Sequence, residues 1–250
     1  MKCLRDYHKF SYKGANFRIC SDRYDHIVNE IIRQRRILSD HIIRQPEFLT
    51  ALTPIALLPD APMIAKRMHE ASLETGVGPM AAVAGVTAQM SAEAALEAGG
   101  REAIVENGGD IYITSGSDVV IGLYAGENPL SGKLGLSVGV EDMPIAVCSS
   151  SGKMGHSLSL GDCDLATVTS DNAALADAAA TLACNLVTSS DQINSVLEKI
   201  IRIPGIQGIL IVKDDKIGVS GNLPRLVKHR DDHFSEKVTR DKNAKGDVVH

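Results

Sequence analysis

Strand-like and helix-like hydrophobic patterns follow one another in the first part of the chain. Residues 7–21 are predicted to form two short strands, because bulky and polar residues alternate on both sides of a turn over 13–16. Isoleucine and leucine then recur at helical spacing from about 23 to 44, and Pro46 ends the pattern. We therefore expect a β-hairpin followed by a long amphipathic helix.

Two further helices are predicted before residue 100. The sequence Asp60-Ala61-Pro62 begins the first, because aspartate caps helices and proline is tolerated in a first turn. The residues expected to face the core from this helix are Ile64, Met68 and Leu73. Residues 80–100 are nearly all small, and a helix is expected from about Val86 to the glycine pair at 99–100. Such a composition indicates a backbone that passes close to another element or to a ligand.

Strands dominate the patterns in the rest of the chain. They are predicted at 103–105, 110–114, 119–123, 133–140, 144–147, 164–169, 206–212 and 216–220. Helices are predicted at 171–187, which Ser170 or Asp171 would cap, and at 191–201. Because strands come in runs and do not alternate regularly with helices, the pattern indicates an α+β fold with mostly antiparallel sheets flanked by helices.

Composition and charge narrow the class of protein. The 250 residues suit one domain, or two intertwined lobes, over 1–224, and the charged residues from 225 to 250 lack periodicity and are expected to form a loose tail. The net charge of -5 argues against a nucleic-acid partner. No stretch approaches the roughly 18 apolar residues of a membrane span, and the first ten residues lack a signal-peptide core.

The five cysteines show no CxxC spacing. A disulfide framework or a structural zinc site is therefore not expected, and free thiols in a reducing compartment fit better. Together with the absence of membrane and signal segments, this predicts a cytoplasmic protein. The sequence leaves a homo-oligomer open.

Candidate metal ligands lie on the predicted helix at 171–187. Asp177 and Thr181 are four residues apart and so share a helix face, to which Cys184 returns. A carboxylate and a hydroxyl suit Mg²⁺, which takes few protein ligands and keeps water or phosphate oxygens for the rest. The alternative is a threonine that bonds the carbonyl four residues back, with an aspartate that faces water or a cationic partner.

A turn rich in serine and glycine follows the strand that ends near Cys148. Its hydroxyls, amides and lysine suit a phosphate, although the Walker spacing is missing. The candidate ligand residues are Ser150, Ser151, Gly152 and Lys153. His156 is a candidate phosphate ligand or general acid/base, and Cys148 a candidate nucleophile with a lowered pKa. The alternatives are a structural histidine and a small buried cysteine.

The sequence Asn107-Gly108-Gly109-Asp110 lies between two predicted strands. Its glycines permit positive φ angles and let a ligand approach the backbone. Asn-Gly is also a common hairpin-turn signal, so the motif alone fits a turn as well as a binding loop.

Taken in order, several segments resemble the ApbE flavin-transferase pattern of an Ala- and Gly-rich helix, a strand ending in Gly-Gly-Asp, a Ser-Gly turn, a histidine and a helix with Ala-Asp-x-x-x-Thr. The matching segments are Met80–Gly100, Glu106–Asp110, Ser150–Gly152 with His156, and Ala176–Thr181. A closer similarity, over nearly the whole chain, is to an uncharacterised ApbE-like family of archaea and bacteria.

ApbE-type enzymes use Mg²⁺ and FAD to attach FMN, through a phosphoester bond, to a threonine or serine of a target protein. The resemblance implies that Asp177 and Thr181 hold the metal, with a small phosphate-bearing molecule and a protein substrate as partners. The residues implied to line the metal, nucleotide and phosphate sides of the cleft are Ala84, Gly85, Asn107, Gly108, Gly109, Asp110 and His156.

Two transferase motifs are missing from the chain. The Gly-Gly-x-x-Lys-Gly sequence is replaced by Met80–Gly85 without the lysine, and no Ile-x-Asp-Pro run follows His156. FMN transfer therefore does not follow from the resemblance. Three interpretations stay open: a metal-dependent binder of a flavin- or nucleotide-like ligand, a persulfide carrier that uses Cys148 with Cys163 or Cys184, and a non-catalytic binding protein.

Overall fold

The computed structural model of the chain describes residues 5–152 and 161–228. Its helices are α1 (Tyr24–Arg44), α2 (Glu47–Thr50), α3 (Met63–Thr75), α4 (Val83–Glu97), α5 (Ala173–Leu186) and α6 (Ile193–Ile200). Its strands are β1 (His8–Tyr12), β2 (Ala15–Ser21), β3 (Ala103–Asn107), β4 (Asp110–Thr114), β5 (Val119–Gly122), β6 (Leu134–Val138), β7 (Ile145–Ser150), β8 (Leu165–Ser170), β9 (Ile206–Lys213), β10 (Lys216–Gly221) and β11 (Arg225–Lys228). None of the helices in these described ranges has the length and apolar character needed to cross a membrane.

Two antiparallel sheets form the centre of the molecule. The large sheet has the strand order β1-β2-β3-β4-β7-β8-β9-β10, and the small sheet has the order β11-β6-β5. Every pairing in both sheets is antiparallel. The prediction of an α+β fold with mostly antiparallel sheets and flanking helices is confirmed.

The hydrophobic core is divided into layers by the large sheet. One face of the sheet packs against α1, α4, α5 and α6, and the opposite face packs against the small sheet. A third cluster lies among α1, α2, α3, α4 and α5. Alternation of side chains along each strand explains how one sheet supplies two core layers.

The two helices that carry most of the small residues, α4 and α5, cross closely. A Cβ atom added to Gly85 would overlap the carbonyl oxygen of Ala173 and would lie 2.9 Å from the Cβ atom of Asp177. The small residues at 80–100 therefore allow a close approach to another element, as predicted, and at Gly85 that element is helix α5. That approach brings the N-terminal turn of α4 against the first half of α5.

Several local predictions need correction. Leu73 does not face the core, since 58% of its surface is exposed. Helix α5 is capped by Asn172, whose side chain accepts a hydrogen bond from the amide of Leu175, and not by Ser170 or Asp171. Glu47–Thr50 forms a short helix directly after Pro46, where the helical pattern of the sequence ends.

The prediction of a loose tail from residue 225 is wrong for its first four residues. Arg225–Lys228 forms β11, which pairs with β6 along its whole length. The short polar run lacks a clear strand pattern, and its pairing is a long-range contact that local sequence does not specify. Residues 229–250 lie outside the described residues.

Candidate functional site

Asp177 lies in α5 with its carboxylate at the N-terminus of α4. Its Oδ2 atom accepts hydrogen bonds from the backbone amides of Ala84, at 3.1 Å, and Gly85, at 2.8 Å. The first amides of a helix lack partners within the helix and carry the positive end of its dipole, so they favour a carboxylate. One oxygen of Asp177 is thereby fixed by the fold.

The Asn107–Asp110 turn joins β3 to β4 beside the same helix end. Gly108 and Gly109 have φ angles of 65° and 111°, which glycine adopts without a steric penalty. The amide nitrogen of Asn107 donates a hydrogen bond of 3.2 Å to the carbonyl oxygen of Ala84. The motif is therefore a hairpin turn that is also tied to the start of α4.

Asp110 is buried at the start of β4, beside the end of β7. Its Oδ1 atom accepts a hydrogen bond of 3.2 Å from the backbone amide of Ser149, and its side chain also bonds the thiol of Cys148. Burial raises the pKa of Asp110 to about 7, although these two hydrogen bonds act in the opposite direction.

The negative charge of Asp110 also acts on Asp177. The pKa of Asp177 is raised well above its usual value, first by burial and then by the negative charge of Asp110. No Lys, Arg or His side chain in the described ranges forms an ion pair with either carboxylate. Two buried carboxylates to which the described residues offer no counter-charge are costly, so the arrangement favours a cation or a proton.

Thr181 lies one helical turn after Asp177 and is buried, with 6% of its surface exposed. Thr75 and Thr87 donate hydrogen bonds to the carbonyl oxygens four residues before them, at 2.7 Å in each case. Thr181 makes no such bond, and its hydroxyl has no hydrogen-bond partner in the part of the chain that the structure describes. The alternative, in which Thr181 bonds the carbonyl four residues back and Asp177 faces water or a cationic partner, therefore does not match the contacts of the described residues.

The available oxygen donors suit a hard divalent cation. Asp177, Asp110 and Thr181 supply carboxylate and hydroxyl oxygens, the ligand type that Mg²⁺ prefers. No cluster of three or more His, Cys, Asp or Glu side chains that could hold a metal occurs among residues 5–152 and 161–228. The residues thus fit a cation that completes its coordination with water or ligand oxygens, and not a closed all-protein metal site.

Cys148 is fully buried between these groups. Its thiol donates a hydrogen bond of 3.6 Å to the carbonyl oxygen of Ala173. Burial and the nearby carboxylates of Asp110 and Asp177 raise the pKa of Cys148 well above its usual value, opposite to the lowered pKa expected from the sequence. This environment favours the neutral thiol, which is the less nucleophilic form.

The other two candidate thiols lie in the main core. Cys163 and Cys184 are fully buried and share a hydrogen bond that, with burial, raises the pKa of Cys163. Cys184 is on the helix face predicted from its spacing, but its neighbours are core residues and not the carboxylates.

The Ser-Gly turn begins close to Asp110. Ser150 is half-buried, Ser151 is buried, and the amide of Gly152 donates a hydrogen bond of 2.9 Å to the carbonyl oxygen of Cys163. Lys153 and His156 lie outside the described residues. The structure therefore places Ser150 to Gly152 at the end of β7 but does not describe the two most chemically distinctive residues of this motif.

Two further polar residues lie near the site: Ser149, the first residue of the predicted Ser-Gly turn, and Gln89, which was not among the candidates from the sequence. Ser149 supplies the amide that contacts Asp110, and its hydroxyl lies 2.9 Å from the hydroxyl of Thr167. Gln89 accepts a hydrogen bond of 2.8 Å from the amide of Ala173, at the start of α5. The one available signal for Gln89 was a long polar side chain within a run of small residues.

A family model described as AbpE bacteria matches residues 16–200 of the chain. A UPF0280 protein of Methanococcus maripaludis is 43% identical over 204 residues, which is 80% of this chain and 83% of that protein. A UPF0280 protein of Methanocaldococcus jannaschii is 41% identical over 203 residues, which is 79% of this chain and 82% of that protein.

Solved structures with the same fold include flavin transferases. The flavin transferase ApbE from Vibrio cholerae aligns with a TM-score of 0.56 at 12% identity, covering 86% of this chain and 96% of that one. An ApbE protein from Thermotoga maritima aligns with a TM-score of 0.53 at 12% identity, covering 93% and 99%. The chain therefore belongs to the AbpE bacteria family, is a relative of the UPF0280 proteins and has the fold of the ApbE flavin transferases.

Proposed function

We propose that the chain binds a phosphate-bearing, flavin- or nucleotide-like ligand together with a divalent cation held by Asp177 and Thr181. The observation that carries the proposal is a buried carboxylate without an ion-pair partner in the described ranges, one turn before a buried threonine that lacks its own helix bond. A bound cation would supply a counter-charge to Asp177 and would coordinate the hydroxyl oxygen of Thr181. The ApbE fold supports a flavin as the first ligand to test.

In this proposal the N-terminus of α4 orients Asp177 for the cation. The amides of Ala84 and Gly85 hold one oxygen of Asp177, which leaves the other oxygen for the cation. Fixing a metal ligand through such supporting hydrogen bonds keeps it oriented before the metal arrives. Gly85 makes the arrangement possible, because no larger residue fits between α4 and Ala173.

Ligand phosphates would approach from the turns beside the cation. The Asn107–Asp110 turn and the Ser150–Gly152 segment end on adjacent strands, β4 and β7. Exposed amides and hydroxyls of such turns bind phosphate oxygens. When bound, the cation would neutralise phosphate charge. We propose Lys153 and His156 as further phosphate ligands on the basis of the sequence motif.

The proposal stops short of FMN transfer. The lysine of the small-residue motif and the Asp-Pro run are missing, so the chain lacks two parts that the transferases use. We do not propose persulfide transfer at Cys148, because a fully buried thiol with a raised pKa is poorly suited to nucleophilic attack. Both observations agree with a protein that binds a flavin without transferring it, or with one that carries out a different reaction on the flavin.

Flavin binding with and without Mg²⁺ tests the proposal. We expect FAD or FMN to bind with at least tenfold higher affinity when Mg²⁺ is present, measured by flavin fluorescence and calorimetry. Thr181→Val should remove most of that gain. Thr87→Val is the matched control, because it also removes a buried helix hydroxyl but one that is bonded to Val83.

The outcomes separate the parts of the proposal. Mg²⁺-dependent binding that Thr181→Val weakens and Thr87→Val does not would support it. Equal loss in both variants would indicate a packing effect and count against Thr181 as a ligand. If FAD, FMN and ATP all fail to bind with Mg²⁺ present, the proposed function is wrong.

A further inference from the structure

A second carboxylate stands next to the proposed cation ligands but comes from a different part of the fold. Asp110 is at the start of β4, whereas Asp177 and Thr181 are on α5. Each of its described contacts ties it to the site: the amide of Ser149, at 3.2 Å, and the thiol of Cys148, whose sulfur lies 3.6 Å from the carbonyl oxygen of Ala173 at the start of α5. The fold therefore brings two buried carboxylates together from distant segments.

The backbone hydrogen bond to Asp110 holds only its Oδ1 atom, and the Cys148 thiol bonds the same carboxyl group. Ser149 donates to Oδ1, and no described residue donates a backbone or cationic hydrogen bond to Oδ2. Asp177 shows the same pattern, with Oδ2 held by two amides and Oδ1 without such a partner. A third, independent feature is Thr181, a residue with 6% of its surface exposed, whose hydroxyl makes no hydrogen bond to the described residues and which lies on the same helix face as Asp177.

We propose, building on the proposed function, that Asp110 is a second carboxylate ligand of the cation held by Asp177 and Thr181. The site then carries two negative charges and selects a divalent cation over a monovalent one. Mg²⁺ sites commonly use one or two carboxylates and fill the remaining positions with water and phosphate oxygens. Asp110 thus links the Gly-Gly-Asp turn directly to the metal, and not only to the nucleotide.

The location of Asp110 makes a structural role distinguishable from a ligand role. If Asp110 only held the turn in place, its replacement would lower the stability of the metal-free protein. If it is a ligand, Asp110→Asn should leave the melting temperature of the metal-free protein unchanged or raise it, since repulsion between two buried carboxylates is removed. Asparagine keeps an oxygen that can accept the Ser149 amide.

Mn²⁺ binding to the full-length protein, followed by electron paramagnetic resonance, is the direct test. Wild type should bind one Mn²⁺, and Asp110→Asn and Asp177→Asn should each weaken binding roughly tenfold or more, since each removes a charged ligand. Mg²⁺ should compete, and K⁺ at the same concentration should not. Asp215→Asn is the matched control, because it removes an exposed carboxylate from the β9–β10 turn.

The outcomes distinguish this inference from the proposed function. If Asp177→Asn loses Mn²⁺ but Asp110→Asn binds it as wild type does, the second ligand is refuted while the first site stands. If both variants lose Mn²⁺ but the wild type binds no flavin, the two-carboxylate site is supported and the flavin proposal fails. Absence of Mn²⁺ binding to the wild type, or equal loss in Asp215→Asn, overturns the inference.

Discussion

At the scale of single residues, His41 shows the effect of burying a polar side chain without a hydrogen-bond partner in the described residues. Its side chain is buried near the end of α1, edge-on to the ring of Phe48 at a centroid distance of 4.9 Å. Neither ring nitrogen has a hydrogen-bond partner within the described residues. Burial, followed by the positive charge of Arg44, lowers its pKa, while Asp60 and Glu47 act weakly in the other direction.

This histidine predicts a pH dependence of stability. Because its pKa is lower in the folded state, the unfolded state binds the proton first, and stability is lost as pH falls below the ordinary histidine pKa of about 6.5. Urea unfolding should show a slope of at most about 1.4 kcal/mol per pH unit from this group. His41→Leu should remove that part of the slope, and His26→Gln, at an exposed position of α1, should not.

A steeper or unchanged slope in His41→Leu would contradict this account of His41. The same residue shows a limit of sequence reasoning. Its helical spacing placed it in an amphipathic helix, but neither the burial of the ring nor the lack of a partner follows from spacing. The Asp177 and Thr181 pair was different, because helix geometry alone puts residues four apart on one face.

At the scale of elements, the crossing of α4 and α5 positions the site. Gly85 has no space for a Cβ atom, whereas a Cβ atom at Gly116 would meet nothing within 4 Å. Gly85→Ala should therefore lower the free energy of unfolding by about 1–3 kcal/mol, because α4 and α5 must separate. It should also weaken Mn²⁺ binding, since Asp177 is held by the Gly85 amide.

Gly116→Ala is the control for this prediction and should change neither quantity. Stability measured by urea unfolding and Mn²⁺ affinity measured on the same samples would check it. Wild-type behaviour of Gly85→Ala in both measurements would show that the helix contact is looser than described. The small residues predicted a close approach to another element, but the sequence did not show that the partner at Gly85 is a helix.

At the scale of the whole molecule, long-range strand pairing decides where the site forms. The hydrophobic patterns predicted most strands and helices within a few residues of their bounds. They did not predict that β4 lies beside β7, which is the pairing that brings Asp110 to Ser149. Such pairings depend on which strands meet across the sheet, and local patterns do not encode that information.

The pairing of β11 with β6 gives a prediction at this scale. Truncation after residue 224 removes β11 from the edge of the small sheet, whereas truncation after residue 228 keeps it. We expect the shorter protein to unfold at a lower urea concentration than the longer one. Its free energy of unfolding should be lower by about 1 kcal/mol or more, because the ladder hydrogen bonds of β11 are lost. Equal stability of the two truncated proteins would contradict a structural role for β11.

The central claim is that Asp177 and Thr181 hold a divalent cation. The most direct measurement is anomalous diffraction from crystals of the full chain grown with Mn²⁺. The account predicts one peak at coordination distance, about 2.0–2.3 Å, from Asp177 and Thr181, with Asp110 facing it. A peak elsewhere, or no peak at a Mn²⁺ concentration that saturates binding in solution, would contradict it.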